Sequence, residues 1–317
     1  MWTRVVLMST LAVGAACGDD APPTDEPDAG AGGRFVLAAA MTWSVTEPLT
    51  LVTNLPSRQV ACQALTSTGA PCGDADGDGL VDAWEDLVLD RFRPAQILDE
   101  AESAVGEVGA VLGNVGRVAP VARSSATTDV VVFIMLGYSR DYGVCGATEH
   151  DGDSERVALH LVTPTGGGPG DVELTAAYTA GHEGEANDQS VLFAGADLGR
   201  LEFATDPARG EPRWQVFPSQ NKHATYGSIS LCESVSVVPC FDEDCGPDGV
   251  TDPSPFQRLP DLVNAGEPTQ PRVDDLSVIG FPGESAWAER DFCGGRPGPS
   301  CSSPVRDKLV RDPFGLL

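Results

Sequence analysis

Glu149-His150-Asp151-Gly152-Asp153-Ser154-Glu155-Arg156-Val157-Ala158-Leu159-His160-Leu161-Val162 changes character along its length. From Asp153 the residues alternate, so Asp153, Glu155, Val157, Leu159 and Leu161 share one face of a predicted strand. His150 falls on the loop just before it, and Arg156 and His160 take the opposite face. Two carboxylates thus open a face that is otherwise apolar, a costly placement unless they are paired or metal-bound. Strand-like runs recur at 34–45, 130–136, 156–162, 172–178, 190–194, 200–204, 213–217 and 235–238, separated by Gly, Pro and Asp clusters. Helix is expected only at 83–92 and, weakly, at 101–112. The pattern predicts a mainly β chain: a single β-sandwich-like domain with a short N-terminal calcium loop and helix.

That loop is Asp74-Ala75-Asp76-Gly77-Asp78-Gly79-Leu80-Val81-Asp82-Ala83-Trp84-Glu85. It fits the twelve-residue EF-hand loop, with oxygen ligands at Asp74, Asp76, Asp78, Asp82 and Glu85, a turn at Gly79 and the Leu80 carbonyl. Ca²⁺ takes six to eight hard oxygens, and Asp alternating with small residues folds them inward. Trp84, Leu87, Val88 and Phe92 form one stripe of an outgoing helix. The preceding Ser67-Thr68-Gly69-Ala70-Pro71-Cys72-Gly73 is turn-like, so no incoming helix is expected. A lone loop of this kind serves as a switch or, the favoured reading, as a bound ion that pins the start of the domain. The affinity expected of an extracellular module is on the order of 10⁻⁴–10⁻³ M.

The first residues set the expected address. Arg4 precedes a short apolar run, 5–16, that is too brief to span a bilayer and has the layout of a secretory signal. Gly14-Ala15-Ala16-Cys17 resembles a bacterial lipobox, which makes residues 1–16 a signal peptide and Cys17 the lipidated residue, although Gly14 stands where Leu is usual. Residues 17–34 are acidic and rich in Pro, Gly and Ala, a flexible tether. Residues 35–100 then carry the first strand, calcium loop and helix, and 101–317 the sandwich. The expected localisation is the cell envelope, anchored in a bacterial membrane and facing the periplasm or exterior. Beyond Cys17 there are eight cysteines, an even number that predicts disulfides in an exported chain. Cys62–Cys72, Cys240–Cys245 and Cys293–Cys301 are close pairs, but spacing does not decide connectivity. A net charge of −27, from 47 acids and 20 bases, argues against binding nucleic acid or adsorbing electrostatically to anionic lipid.

Only four histidines occur: His150, His160, His182 and His223. Three lie beside predicted β-runs, in Glu149-His150, Gly181-His182-Glu183 and Lys222-His223-Ala224-Thr225-Tyr226. These elements resemble the vacuolar protein sorting-associated protein 62 family, in which a HxGDWE stretch, a later strand-end His and a HAxY element recur in order. Val263-Asn264-Ala265-Gly266-Glu267 is similar to its NVGE segment. Arg91-Phe92-Arg93-Pro94 with Leu98-Asp99-Glu100 looks like its opening element, and 281–295 like its C-terminal Trp/Cys segment. The resemblance spans about Trp84 to Gly295. A weaker echo is the necrosis-inducing protein family, whose GHRHDWE motif overlays His150, Asp153 and Glu155 and binds a divalent cation on a β-sandwich. Ser154 stands where both families carry Trp.

The resemblance implies a β-rich domain with a polar site at His150, Asp153, Glu155, His182 and His223. His150, Asp153 and Glu155 are the expected ligands of a second divalent metal, Mg²⁺, Mn²⁺ or Zn²⁺, and Glu155, His182 and His223 the candidate catalytic groups. Three functions follow: recognition of a lipid or glycan at that site, metal-dependent hydrolysis of a phosphoester-type bond, or a purely structural surface lipoprotein. No GxSxG elbow, HExxH motif or P-loop is present.

Overall fold

A computed structural model describes residues 35–36, 41–48, 73–124, 126–143, 149–164, 169–184, 188–206, 211–234, 243–248, 250, 254–281, 285–288 and 305–317. All fall within one compact unit, Ala31–Leu317. The signal, Cys17, the tether, residues 235–238 and cysteines 62, 72, 145, 240, 293 and 301 lie outside the described residues.

The chain is mainly β. In order it forms β1 (Phe35–Val36), β2 (Met41–Pro48), α1 (Asp82–Phe92), β3 (Ala95–Ile97), β4 (Asn114–Arg123), β5 (Thr127–Asp141), β6 (His150–Pro164), β7 (Pro169–Thr179) and β8 (Val191–Ala194). There follow β9 (Glu202–Asp206), β10 (Glu211–Pro218), β11 (Thr225–Tyr226), α2 (Ile229–Glu233), β12 (Gln257–Arg258), β13 (Leu262–Asn264), β14 (Gly266–Glu267), β15 (Gln270–Pro271) and α3 (Val305–Val310). One sheet runs β13-β4-β5-β6-β7-β2 with β8 on β7, and a second runs β1-β9-β10-β3-β12 with β11 on β10.

The hydrophobic pattern explains the layering. Val130, Val132, Ile134 and Leu136 on β5 and Val157, Leu159 and Leu161 on β6 share the core between the sheets with Phe203, Trp214 and Val216. The intervening Val131, Phe133 and Met135 face a second core, closed by Leu276, Phe281, Val305 and Leu309. Strand β5 is therefore buried on both faces, which is why it reads as an unbroken apolar run rather than an alternating one. Helix α1 is part of the main core: Trp84, Val88, Leu89 and Phe92 are buried in it. It packs on β4 at Gly116, where a Cβ would lie 2.5 Å from Leu89 Cδ2.

Several expectations are corrected. His150 is the first residue of β6, paired with Asp141, and not a loop residue. Residues 101–112 form no α-helix: a single 3₁₀ turn, Ser103–Gly106, is capped by the Glu102 side chain, and Gly109 follows at φ 83°. Strand β4 was not among the predicted runs. Cys245 is bonded to Cys232 and is not available to Cys240. Leu89 joins helix to sheet with no exposed surface, so Leu89→Ala is expected to cost about 2–5 kcal/mol in urea unfolding.

Candidate functional site

Local rules shape the loop 73–85. Gly77 and Gly79 take φ values of 78° and 93°, the left-handed turns that Gly permits. Asp74 Oδ1 accepts from the Gly77 amide at 2.7 Å, Asp78 Oδ1 from the Leu80 amide at 2.6 Å, and Asp82 Oδ1 from the Ala75 amide at 2.8 Å. Leu80 plants its side chain in the core, and α1 starts at Asp82, the ninth loop position. Carboxylate oxygens of Asp74, Asp76 and Asp78 come within 4.8 Å of one another, as do those of Asp76, Asp82 and Glu85. Asp76 belongs to both groups and so links all five acids. Among the described residues no other trio of His, Cys, Asp and Glu gathers this way.

Crowding and burial oppose ionisation. Glu85 is fully buried, and burial, reinforced by Asp78 and Asp76, pushes its carboxyl up to about 10 against the pull of Arg272. Burial also raises Asp78 to about 7 and Asp76 to about 6, with neighbouring acids adding to each. Glu85 Oε1 has no hydrogen-bond partner among the described residues, whereas Oε2 meets Asn264 Nδ2 at 3.4 Å and Arg272 Nη1 at 3.5 Å. Carboxylate oxygens held this closely could ligate a hard cation.

The histidine cluster is built differently. His223 is wholly buried and lies flat on Tyr138, ring centroids 3.8 Å apart. Its Nδ1 is 2.8 Å from Asp153 Oδ2 and its Nε2 3.7 Å from Glu102 Oε1. A tight turn after β10 delivers it, with Asn221 at φ 64° and His223 at φ 58°; the Asn221 amide donates to Glu102 Oε2 at 2.5 Å. His150 Nδ1 lies 2.8 Å from the Gly152 carbonyl, while its Nε2 is 3.4 Å from Asp141, which also binds Lys222 at 2.5 Å. His182, at φ 53°, pairs with Glu243 at 2.6 Å. Glu155 stands apart: burial and then Asp153 raise its carboxyl to about 8, Lys308 opposes from 3.9 Å, and Oε2 has no hydrogen-bond partner among the described residues. The hydroxyl of Tyr226 is buried and likewise unpartnered.

His150, Asp153 and Glu155 therefore do not form one ligand sphere as they stand. Asp153 is taken by His223, and His150 turns to Gly152 and Asp141. His150, Asp153 and His223 do share one polar region, because Asp141 and Asp153 repel each other within it. His182 joins the side nearer Glu155, which feels its charge. His160, on the opposite face of β6, meets Thr175 Oγ1 at 2.6 Å. Sequence reasoning missed Glu102, Asp141, Lys222, Glu243 and Lys308 as partners. One signal was in the composition: Lys222 and Lys308 are the only lysines in the chain, and they face Asp141 at 2.5 Å and Glu155 at 3.9 Å.

No protein-family model, no curated protein and no solved structure matches this chain.

The Asp153–His223–Glu102 arrangement makes stability depend on pH. Burial works against a charged His223, but the bond to Asp153 and the charge of Glu102 overcome it and raise the ring to about 9. That exceeds the unfolded value of about 6.5, so its contribution is complete below about pH 6.5 and lost as pH rises through about 9. Burial likewise opposes charge on Asp153 and Glu102, yet His223 holds both below the usual carboxylate range. Their contribution is lost only in acid. Urea unfolding is expected to show stability falling between about pH 6.5 and 9. His223→Ala should reduce that slope, to which the raised carboxyls of Glu155 and Glu85 also contribute, and cost about 3–5 kcal/mol at pH 6; a flat wild-type profile would contradict this.

Proposed function

We propose that this chain is an exported, lipid-anchored calcium-binding protein whose ion fastens the entry of a β-sandwich. The observation that carries the calcium reading is the convergence of Asp74, Asp76, Asp78, Asp82 and Glu85 within 4.8 Å groups, centred on Asp76. The all-oxygen donor set and flexible Asp-rich loop favour Ca²⁺ over Zn²⁺, which prefers nitrogen and sulfur. Glu85 Oε1, without a hydrogen-bond partner among the described residues, fits the bidentate carboxylate at the last loop position. Export and anchoring rest on the signal-like start, Cys17 and the acidic tether.

The ion's role in this reading is structural. The loop leads directly into α1, whose Trp84, Val88, Leu89 and Phe92 belong to the core between the sheets. A cation that relieves repulsion among the loop acids also holds the helix that closes that core. The His/carboxylate end is read as a metal-free polar network, because His223 and Lys222 already supply counter-charge to Asp153 and Asp141. No hydrolytic step is proposed there.

Terbium luminescence, sensitised by Trp84 beside Glu85 and competed with Ca²⁺, tests the reading on the soluble chain beginning after Cys17. Calcium is expected to compete with a dissociation constant no weaker than about 10⁻³ M. At a hundredfold excess over that constant it should stabilise the fold by about 2.7 kcal/mol. Asp78→Ala should abolish both effects. Retained calcium binding in that variant would place the ion elsewhere.

A further inference from the structure

The segment Asn264-Ala265-Gly266-Glu267 has no role in the function proposed so far, yet the fold sets it against the calcium loop. Strand β13 runs parallel to β4 through Asn264↔Gly116, and the β14–β15 hairpin follows at once. Asn264 is the hub. Its Nδ2 donates to Glu85 Oε2 at 3.4 Å and Asp86 Oδ1 at 3.3 Å, while its Oδ1 accepts from the Gly266 amide at 3.0 Å. Arg272, just past the hairpin, reaches Asp86 at 2.9 and 3.0 Å and Glu85 at 3.5 Å.

Gly266 is where backbone meets loop. It sits at φ 68°, and a Cβ there would come 3.0 Å from Asp76 Oδ2 and 2.7 Å from Arg272 Cγ. Across the interface, a Cβ on Gly77 would lie 3.1 Å from Gln270 Oε1. Glu267 adds its charge to the repulsion felt by Asp76 and Asp78, although Arg117 grips it with contacts of 2.8 and 2.9 Å. The hairpin thus carries a further acid toward a loop that already holds five, while Arg272 offsets part of that charge at Asp86 and Glu85. A cation in the loop would remove the opposition that remains. The buried Oε1 of Glu85, without a hydrogen-bond partner among the described residues, lies on the same carboxylate that Asn264 and Arg272 hold through Oε2.

We propose that the segment 264–272 is the second half of the cation site: Asn264 and Arg272 are positioning residues for Glu85, and ion binding and hairpin docking are one coupled event. This rests on the reading of loop 74–85 as the cation site. It gives the lone loop the support that an incoming helix would otherwise provide. Coupling is reciprocal, so whatever hairpin docking contributes to calcium affinity, calcium returns as protection of the hairpin.

Hydrogen exchange on the soluble chain, with and without Ca²⁺, reads one side of this coupling. Amides of 264–272 are expected to slow by roughly fivefold or more on adding Ca²⁺, and not to respond in Asp78→Ala. Calcium titration of Asn264→Ala and Gly266→Ala reads the other, with affinity expected to fall by a similar factor, roughly fivefold or more. A merely structural role for these residues would lower calcium-free stability and leave affinity unchanged. The proposal is overturned if wild type binds calcium while exchange at 264–272 does not change, or if both variants bind as wild type does. Absence of calcium binding by wild type overturns the loop reading itself, and this inference with it.

Discussion

The repulsion among the acids of loop 74–85 is the constraint around which the first third of the domain is arranged. Asp74, Asp76 and Glu85 are buried, and oxygens of the five loop acids lie within 4.8 Å of one another in two groups that share Asp76. The neighbouring protein cation, Arg272, is shared with Asp86. Helix α1 begins inside this cluster and continues into the core, so the charge problem cannot be relieved by swinging the loop away without drawing Trp84 and Val88 out of apolar surroundings. Relief must come from protons or from a metal ion, and oxygen ligands at this spacing favour the ion.

The opposite solution operates at the histidine cluster. There the buried carboxylates are matched by the protein itself: Asp153 by His223 at 2.8 Å and Asp141 by Lys222 at 2.5 Å. These pairs join distant parts of the chain, since Glu102 precedes β4, Asp153 lies in β6 and His223 follows β10. Breaking one leaves a stranded charge, so such a network enforces one arrangement of its segments more than it adds net stability. Glu155 is the exception, with a lysine 3.9 Å away and an oxygen that has no hydrogen-bond partner among the described residues. That incomplete pairing sets it apart from its neighbours in chemistry, although it lies only two residues from Asp153.

How much of this was readable beforehand depended on whether a feature is local. The alternation after Asp153 and the apolar run of β5 announced strands because burial imposes its period on consecutive residues. The acidic cluster of loop 74–85 was legible for the same reason, its carboxylates lying within twelve positions. Strand β4 was not, because Gly116 and Pro120 break its pattern and its place is set by pairing with β5, including a register shift between Pro120 and Ala122. Nor did spacing reveal that Asp153 would be claimed by His223, or that Cys245 would pair with Cys232. The Asn264-Ala265-Gly266-Glu267 stretch was singled out in sequence only through a family resemblance; the contacts of Asn264 with Glu85 and Asp86 give it a structural role.

The most direct test is crystallographic. Crystals of the soluble chain grown with calcium, measured at a wavelength where calcium scatters anomalously, locate the ion without assumptions about affinity or stability. The account predicts an anomalous peak bounded by Asp74, Asp76, Asp78, Asp82 and Glu85, with both Glu85 oxygens turned toward it. A calcium-saturated crystal with no peak in that loop would contradict it.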